Sequence, residues 1–126
     1  MTRREWAAAV AASAGAAVAA PSRDPILRRN DAAVERYLQT QAVEGRWSGA
    51  VPDATGLYLA GSCGGVINVC TASYVHPASR FHGDARVKNA IRLAAEHLAK
   101  VQTADGNIDL EVTNFNSPPD TGFVVW

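Results

Sequence analysis

The residues best equipped for chemistry fall into a few groups along the 126-residue chain. Trp47 and Tyr58 stand in a stretch without any period. Aromatic rings with a polar edge stack on the apolar faces of sugar rings, and the same rings also plug a loop onto a core. Tyr74, His76 and His82 are the groups suited to proton transfer near neutral pH. Tyr74 and His76, two residues apart, point to different faces of a helix, and a lone histidine is far more often structural. Arg80 is suited to a bidentate hold on a carboxylate, or to a helix C-terminus. Asn114, Asn116 and Asp120 lie in a Pro-containing segment, where Asn tolerates unusual backbone angles and Asp caps a following helix.

Asp105, Asp109 and Glu111 make the string D-G-N-x-D-x-E. A calcium loop needs its glycine sixth, whereas Gly106 is second, so a turn followed by a strand is the expected reading and no metal is assigned. Asp109 and Glu111 would stand about 7 Å apart on one side of a strand, a spacing that permits a glycosidase pair without supporting one. Cys63 and Cys70 share a helix face but lie about 10.5 Å apart along its axis; cysteines bridge only when their Cα atoms come within about 7 Å. Buried thiols are therefore expected. No phosphate-cradling glycine loop, nucleophile elbow or His-Glu-x-x-His helix occurs in the chain, and no cofactor is implied.

The elements that must position these groups are mostly helical. Asp24 is a good N-cap and Pro25 suits a first helical turn. Leu27, Val34, Tyr37, Leu38 and Gln41 then recur at helical spacing, with Arg28, Arg29, Asp31, Glu35 and Arg36 mostly off that face. The spacing predicts a helix over 25–42, stopped by Gly45. Between Glu44 and Gly61 four glycines and a proline break every period, and a long loop of this kind is functional or packed by its own aromatics. Ser62 to Val75 carries no charge and reads as a helix buried all round, whose small residues let neighbours approach closely, ended by His76-Pro77. A second amphipathic helix follows Asp84, with Val87, Ile91, Ala94, Leu98 and Val101 inward and Arg92–Glu96 as a supporting pair, ending near Gln102. Ala104-Asp105-Gly106-Asn107 is a turn, Ile108 to Val112 alternates like a short strand, and Ser117-Pro118-Pro119-Asp120 opens a further helix beginning at Phe123. An apolar end at Phe123-Val124-Val125-Trp126 leads to the expectation that the chain is the amino-terminal piece of something longer.

Composition narrows the classes. Apolar residues make up 48% and charged residues 19%, with twelve basic and twelve acidic side chains, so nothing favours nucleic acid or an anionic membrane as partner. Met1 to Ala20 holds ten alanines behind Arg3 and Arg4. This layout resembles an export signal of the twin-arginine variety, cut between Ala19 and Ala20 after the small residues Ala17 and Ala19. Trp6 and Ala7 stand where that pattern prefers Phe and Leu. The alanine stretch is too short and too weakly apolar to span a bilayer. An exported chain, periplasmic or extracellular, is expected, with residues 1–19 as signal and 20–126 as a mature all-α domain without a membrane span.

Two further strings carry a family resemblance: the helix ending at Gln102 followed by Asp105-Gly106, and Asn114-Phe-Asn-Ser-Pro-Pro-Asp120. With the helical hairpins before them, over roughly residues 25–126, they resemble the first hairpins of an (α/α) toroid, as in heparinase II/III-like and chondroitin-lyase-like polysaccharide lyases. The resemblance implies a partial, unclosed ring and a polysaccharide or oligosaccharide partner. It also implies a parent reaction of β-elimination on uronic-acid-containing glycans, with the lyase cleft residues lying in later hairpins, so that this piece alone has no turnover. In a toroid, the loop carrying Asn114, Asn116 and Asp120 opens on the concave face and contacts sugar hydroxyls. Two alternatives stay open: a glycoside hydrolase of the same architecture, and a non-catalytic carbohydrate-binding helical module in which Trp47 and Tyr58 carry the contact.

Overall fold

The structure, a computed structural model, describes residues 23–110 and 114–117, with side chains through Ile108. It is helical: α1 spans Pro25–Thr40, α2 Ala60–Val75 and α3 Ala85–Val101. They are followed by two short strands, β1 at Ile108–Leu110 and β2 at Asn114–Ser117. Among the described residues no helix is long and apolar enough to cross a membrane.

Caps fix the ends of α1 and α3 where the sequence places them. Asp24 accepts from the backbone N–H groups of Ile26 at 2.8 Å and Leu27 at 3.3 Å, satisfying two orphan donors of the first turn. Asp84 does the same for α3 through Arg86 N–H at 2.8 Å. The α1 helix stops at Thr40 rather than 42, because the chain turns extended at Gln41, four residues before Gly45. His76 and Gln102 end α2 and α3, each in extended backbone.

Successive helices run antiparallel. Asn30, early in α1, donates to the Val69 carbonyl and to Ser73 Oγ late in α2, while Tyr37 near the end of α1 lies beside Gly65 near the start of α2. Gly83 N–H, just before α3, bonds to the Tyr74 carbonyl at the end of α2. The most extensive packing is α2 on α3, then α1 on α2; α1 and α3 meet more sparingly. Val34, Val66, Cys63, Cys70, Val87 and Ala94 fill the centre, with Ala50, Val51 and Phe81 brought in from the connections. Burial of such side chains contributes about 1.5–3 kcal/mol for each of the larger ones.

Four expectations are corrected. The α2 helix is not buried all round: Gly61, Asn68, Thr71, Ala72 and Val75 face solvent, since two neighbouring helices cover only part of its circumference. The inward face of α3 is rotated, with Val87, Ala90, Leu93, Ala94 and His97 buried and Ile91 and Leu98 at its margin. Asp31, expected off the inward face of α1, is 3% exposed. The segment 114–117, expected as loop, pairs antiparallel with β1 through Ile108↔Ser117 and Leu110↔Asn114, with an irregularity between.

The connection from Gln41 to Ala50 is a closed loop laid on α3. Ala42 N–H bonds to the Ala50 carbonyl at 2.9 Å and Gly49 N–H to the Ala42 carbonyl at 2.7 Å. The buried Gln41 amide donates to the carbonyls of Gly49 at 3.0 Å and Ala90 at 2.9 Å, and His97 Nδ1 lies 3.1 Å from the Ser48 carbonyl. At the point of closest approach the φ of Gly49 is +92°, and a Cβ there would stand 1.9 Å from the Leu93 carbonyl oxygen. Both the positive φ and the backbone collision exclude a side chain. Gly49→Ala is expected to destabilise the fold by about 3 kcal/mol or more, measured as a fall in the urea midpoint; a wild-type midpoint would contradict this packing of loop on helix.

Candidate functional site

A surface depression between α1 and α3 gathers several polar and charged side chains over an apolar base. This cleft of about 450 Å3 is lined by Glu35, Leu38 and Gln39 of α1, Gln41 and Val43 after it, Arg80 and Phe81 before α3, and Arg86, Asn89, Ala90 and Leu93 of α3. Its floor is apolar and its rim carries two guanidinium groups, amides and one carboxylate.

The sparing contact between α1 and α3 creates the cleft, and one buried carboxylate shapes its wall. Asp31 Oδ1 accepts from Ser73 Oγ and Ser79 Oγ, each at 2.6 Å, and Oδ2 accepts from Arg80 N–H at 3.2 Å. Ser79, 4% exposed, in turn accepts from Phe81 N–H at 3.0 Å. These bonds tie α1 to α2 and to the connection that leads into α3, and they hold Phe81 inward and Arg80 at the rim. The Arg80 guanidinium lies 4.7 Å from the Phe81 ring centroid and pairs with Glu35. Opposite, Arg86 is paired with Asp84 at 2.7 Å. That hydrogen-bonded ion pair holds the Asp84 carboxyl below its ordinary value and raises Arg86 further.

Trp47 and Tyr58 are brought together. Their rings stack with centroids 5.2 Å apart and planes 10° from parallel, half-buried against the core. Arg46 lies 4.9 Å from the Trp47 centroid, and the His97 ring 6.3 Å away. Each ring thus has the other as a stacking partner, and neither lines the cleft. Tyr58 belongs to a small turn with a Pro52↔Tyr58 bridge, in which Asp53 accepts from Thr55 Oγ1 and from the N–H groups of Thr55 and Leu57. Those bonds, the Thr55 hydroxyl first, keep the Asp53 carboxyl below its ordinary range.

The remaining candidates lie apart. His76 and His82 are exposed, and His76 Nδ1 accepts from Ala78 N–H at 3.2 Å, a turn contact. Asp105 closes the turn before β1 with Thr103 and Asn107. Cys63 and Cys70 are buried free thiols, each pushed up to about 11 by burial. Among the described residues no group of His, Cys, Asp and Glu is placed to hold a metal ion. Asn114 and Asn116 sit on β2. Their side chains, together with Asp120, Glu111, the leader 1–19 and the helix expected after Ser117, lie outside the described residues.

Of the cleft residues, the sequence singles out only Arg80 as a carboxylate ligand. Gln39, Arg86 and Asn89 carry no motif, and Asp31, Ser73 and Ser79 meet across 42 and 48 positions of the chain. A signal was present for Asp31: it falls at helical spacing between Leu27 and Val34, on the inward face. No family model, no curated protein and no solved structure matches the chain.

Two measurements check the site. Asp31→Ala leaves two hydroxyls and an N–H facing an apolar gap and is expected to cost about 3 kcal/mol, with Ser79→Ala costing about 1–2 kcal/mol, by urea unfolding; costs near zero would show that the network does not hold the wall. Because the folded-state value of Asp84 is depressed, its charge contributes stability above 3.8, lost as the pH falls from there through the lower folded value. Wild type is expected to exceed Asp84→Asn by less than about 1 kcal/mol at pH 7, since the arginine of the pair is largely exposed and solvent screens it, and the difference to vanish in acid; a difference that persists in acid would assign it to something other than the charge.

Proposed function

We propose that the chain is a helical portion of an exported protein of the (α/α)-toroid type that acts on acidic polysaccharide, and that the cleft between α1 and α3 is a saccharide subsite. The observation that carries this reading is the composition of the cleft: Leu38, Phe81, Ala90 and Leu93 below, with Arg80, Arg86, Gln39 and Asn89 around them. A sugar ring presents an apolar face and a hydroxyl rim to such a surface, and a uronate adds a carboxylate that a guanidinium fork takes in two hydrogen bonds. Consecutive antiparallel helices and the Arg3-Arg4 leader agree with the toroid and with export. The parent reaction is β-elimination, and this portion contributes binding rather than turnover, since the titratable pair Tyr74 and His76 and the residue His82 do not line the cleft. Trp47 and Tyr58, stacked elsewhere, would serve a separate outer subsite.

The test is calorimetric titration of the full chain with oligogalacturonate and with a neutral cello-oligosaccharide. Binding of the acidic sugar, weakened about tenfold by Arg86→Ala, and no new ultraviolet absorbance from an unsaturated uronate are expected. Failure of both sugars to bind would overturn the reading, and turnover by this chain alone would overturn the assignment of chemistry to other parts.

A further inference from the structure

Arg80 is anchored in three ways, and two of them come from one face of α1. Asp31 takes its backbone N–H at 3.2 Å, and Glu35, one helical turn further on, takes its guanidinium. Phe81 supports the guanidinium from the side at 4.7 Å. The arginine side chain is 20% exposed while that of Glu35 is 52% exposed. Within this ion pair the base is fixed and the acid is the loose member. Both residues line the cleft, so the Glu35 carboxylate occupies the guanidinium that an incoming carboxylate would need.

We propose that Glu35 is a built-in competitor for Arg80: it holds the guanidinium in the free protein, and the carboxylate of a bound uronate takes its place, so that Glu35 limits how tightly acidic sugars are held. This rests on reading the cleft as a saccharide site. The exchange replaces one charge-assisted hydrogen bond by another of the same kind. Releasing Glu35 costs little, because a half-exposed acid is readily rehydrated. A neutral sugar offers only hydroxyls, which do not displace a carboxylate from a guanidinium, so the pair stays closed against it.

Glu35→Gln tests this, because the amide keeps the size of the side chain and removes its charge. The variant is expected to bind oligogalacturonate about fivefold more tightly than wild type and to bind cello-oligosaccharide unchanged. In the Glu35→Gln, Arg80→Gln double variant the gain is expected to disappear. The Arg80 substitution leaves the backbone bond to Asp31 in place, and an unchanged urea midpoint checks that the wall is intact. If wild type binds oligogalacturonate but Glu35→Gln binds it equally or more weakly, the competitor role is overturned while the saccharide reading stands. If neither protein binds either sugar, the saccharide reading falls and the role of Glu35 falls with it.

Discussion

A single carboxylate, buried at 3% exposure, decides how three parts of this chain meet. Taking Asp31 out of water is unfavourable unless donors replace the lost hydration. Ser73, Ser79 and the Arg80 N–H do so from α2 and from the connection into α3. Asn30 extends the network by donating to Ser73 and to the Val69 carbonyl, so the serine hydroxyl both gives and receives. An apolar residue at 31 could fill the space, but it could not specify which hydroxyl and which backbone N–H lie against it. The directional bonds fix the connection after α2, and with it the points at which Phe81 turns in and Arg80 emerges.

The opposite end of the helices is held by a different device. Here the tie between the end of α1 and α3 is made by backbone: the Gln41–Ala50 loop lies so close to α3 that only Gly fits at 49. Gln41 supplies its amide to two carbonyls, and His97 meets a third, the Ser48 carbonyl. Polar satisfaction of a buried loop thus comes from side chains of the helix end and the helix beneath it, as the accounting of buried carbonyls requires. With α1 secured at both ends but not along its length to α3, a cleft is left between them. The cavity follows from the two ties, whose members Gln41, Arg80 and Ala90 also line it.

These facts explain which features were legible from the amino acids. Helix ends depend on neighbours in sequence, and Asp24-Pro25 and Asp84 announced α1 and α3 through cap chemistry that needs nothing distant. The α1 face was legible because Leu27, Val34, Leu38 and Gln41 repeat with the helical period. Asp31 sits on that same face, yet its burial is not legible locally, since the serines that make it tolerable lie more than forty positions away. The uncharged α2 gave no contrast between inward and outward faces, so its exposed side was invisible. Arg80 was legible as a carboxylate ligand because the chemistry belongs to the side chain; that its ligand is Glu35 depends on packing. Arg86 and Asn89 had no signal, because a cleft rim has no spacing rule.

The charge arrangement also bears on how an acidic ligand would be recognised. Twelve basic and twelve acidic residues give the chain no net charge, so no broad field draws a polyanion from a distance. The rim arginines are moreover already paired, Arg80 with Glu35 and Arg86 with Asp84. Attraction beyond a Debye length of about 8 Å is therefore weak at physiological salt. In the saccharide reading, discrimination has to occur at contact, where one carboxylate replaces another on a guanidinium already held in place by Asp31 and Phe81. Such a site loses less affinity with salt than an open basic patch, because binding exchanges an internal ion pair for an external one rather than releasing a counterion atmosphere. It follows that the buried carboxylate and the exposed one have complementary tasks on α1: Asp31 sets where the guanidinium stands, and Glu35 sets how readily another carboxylate takes hold of it.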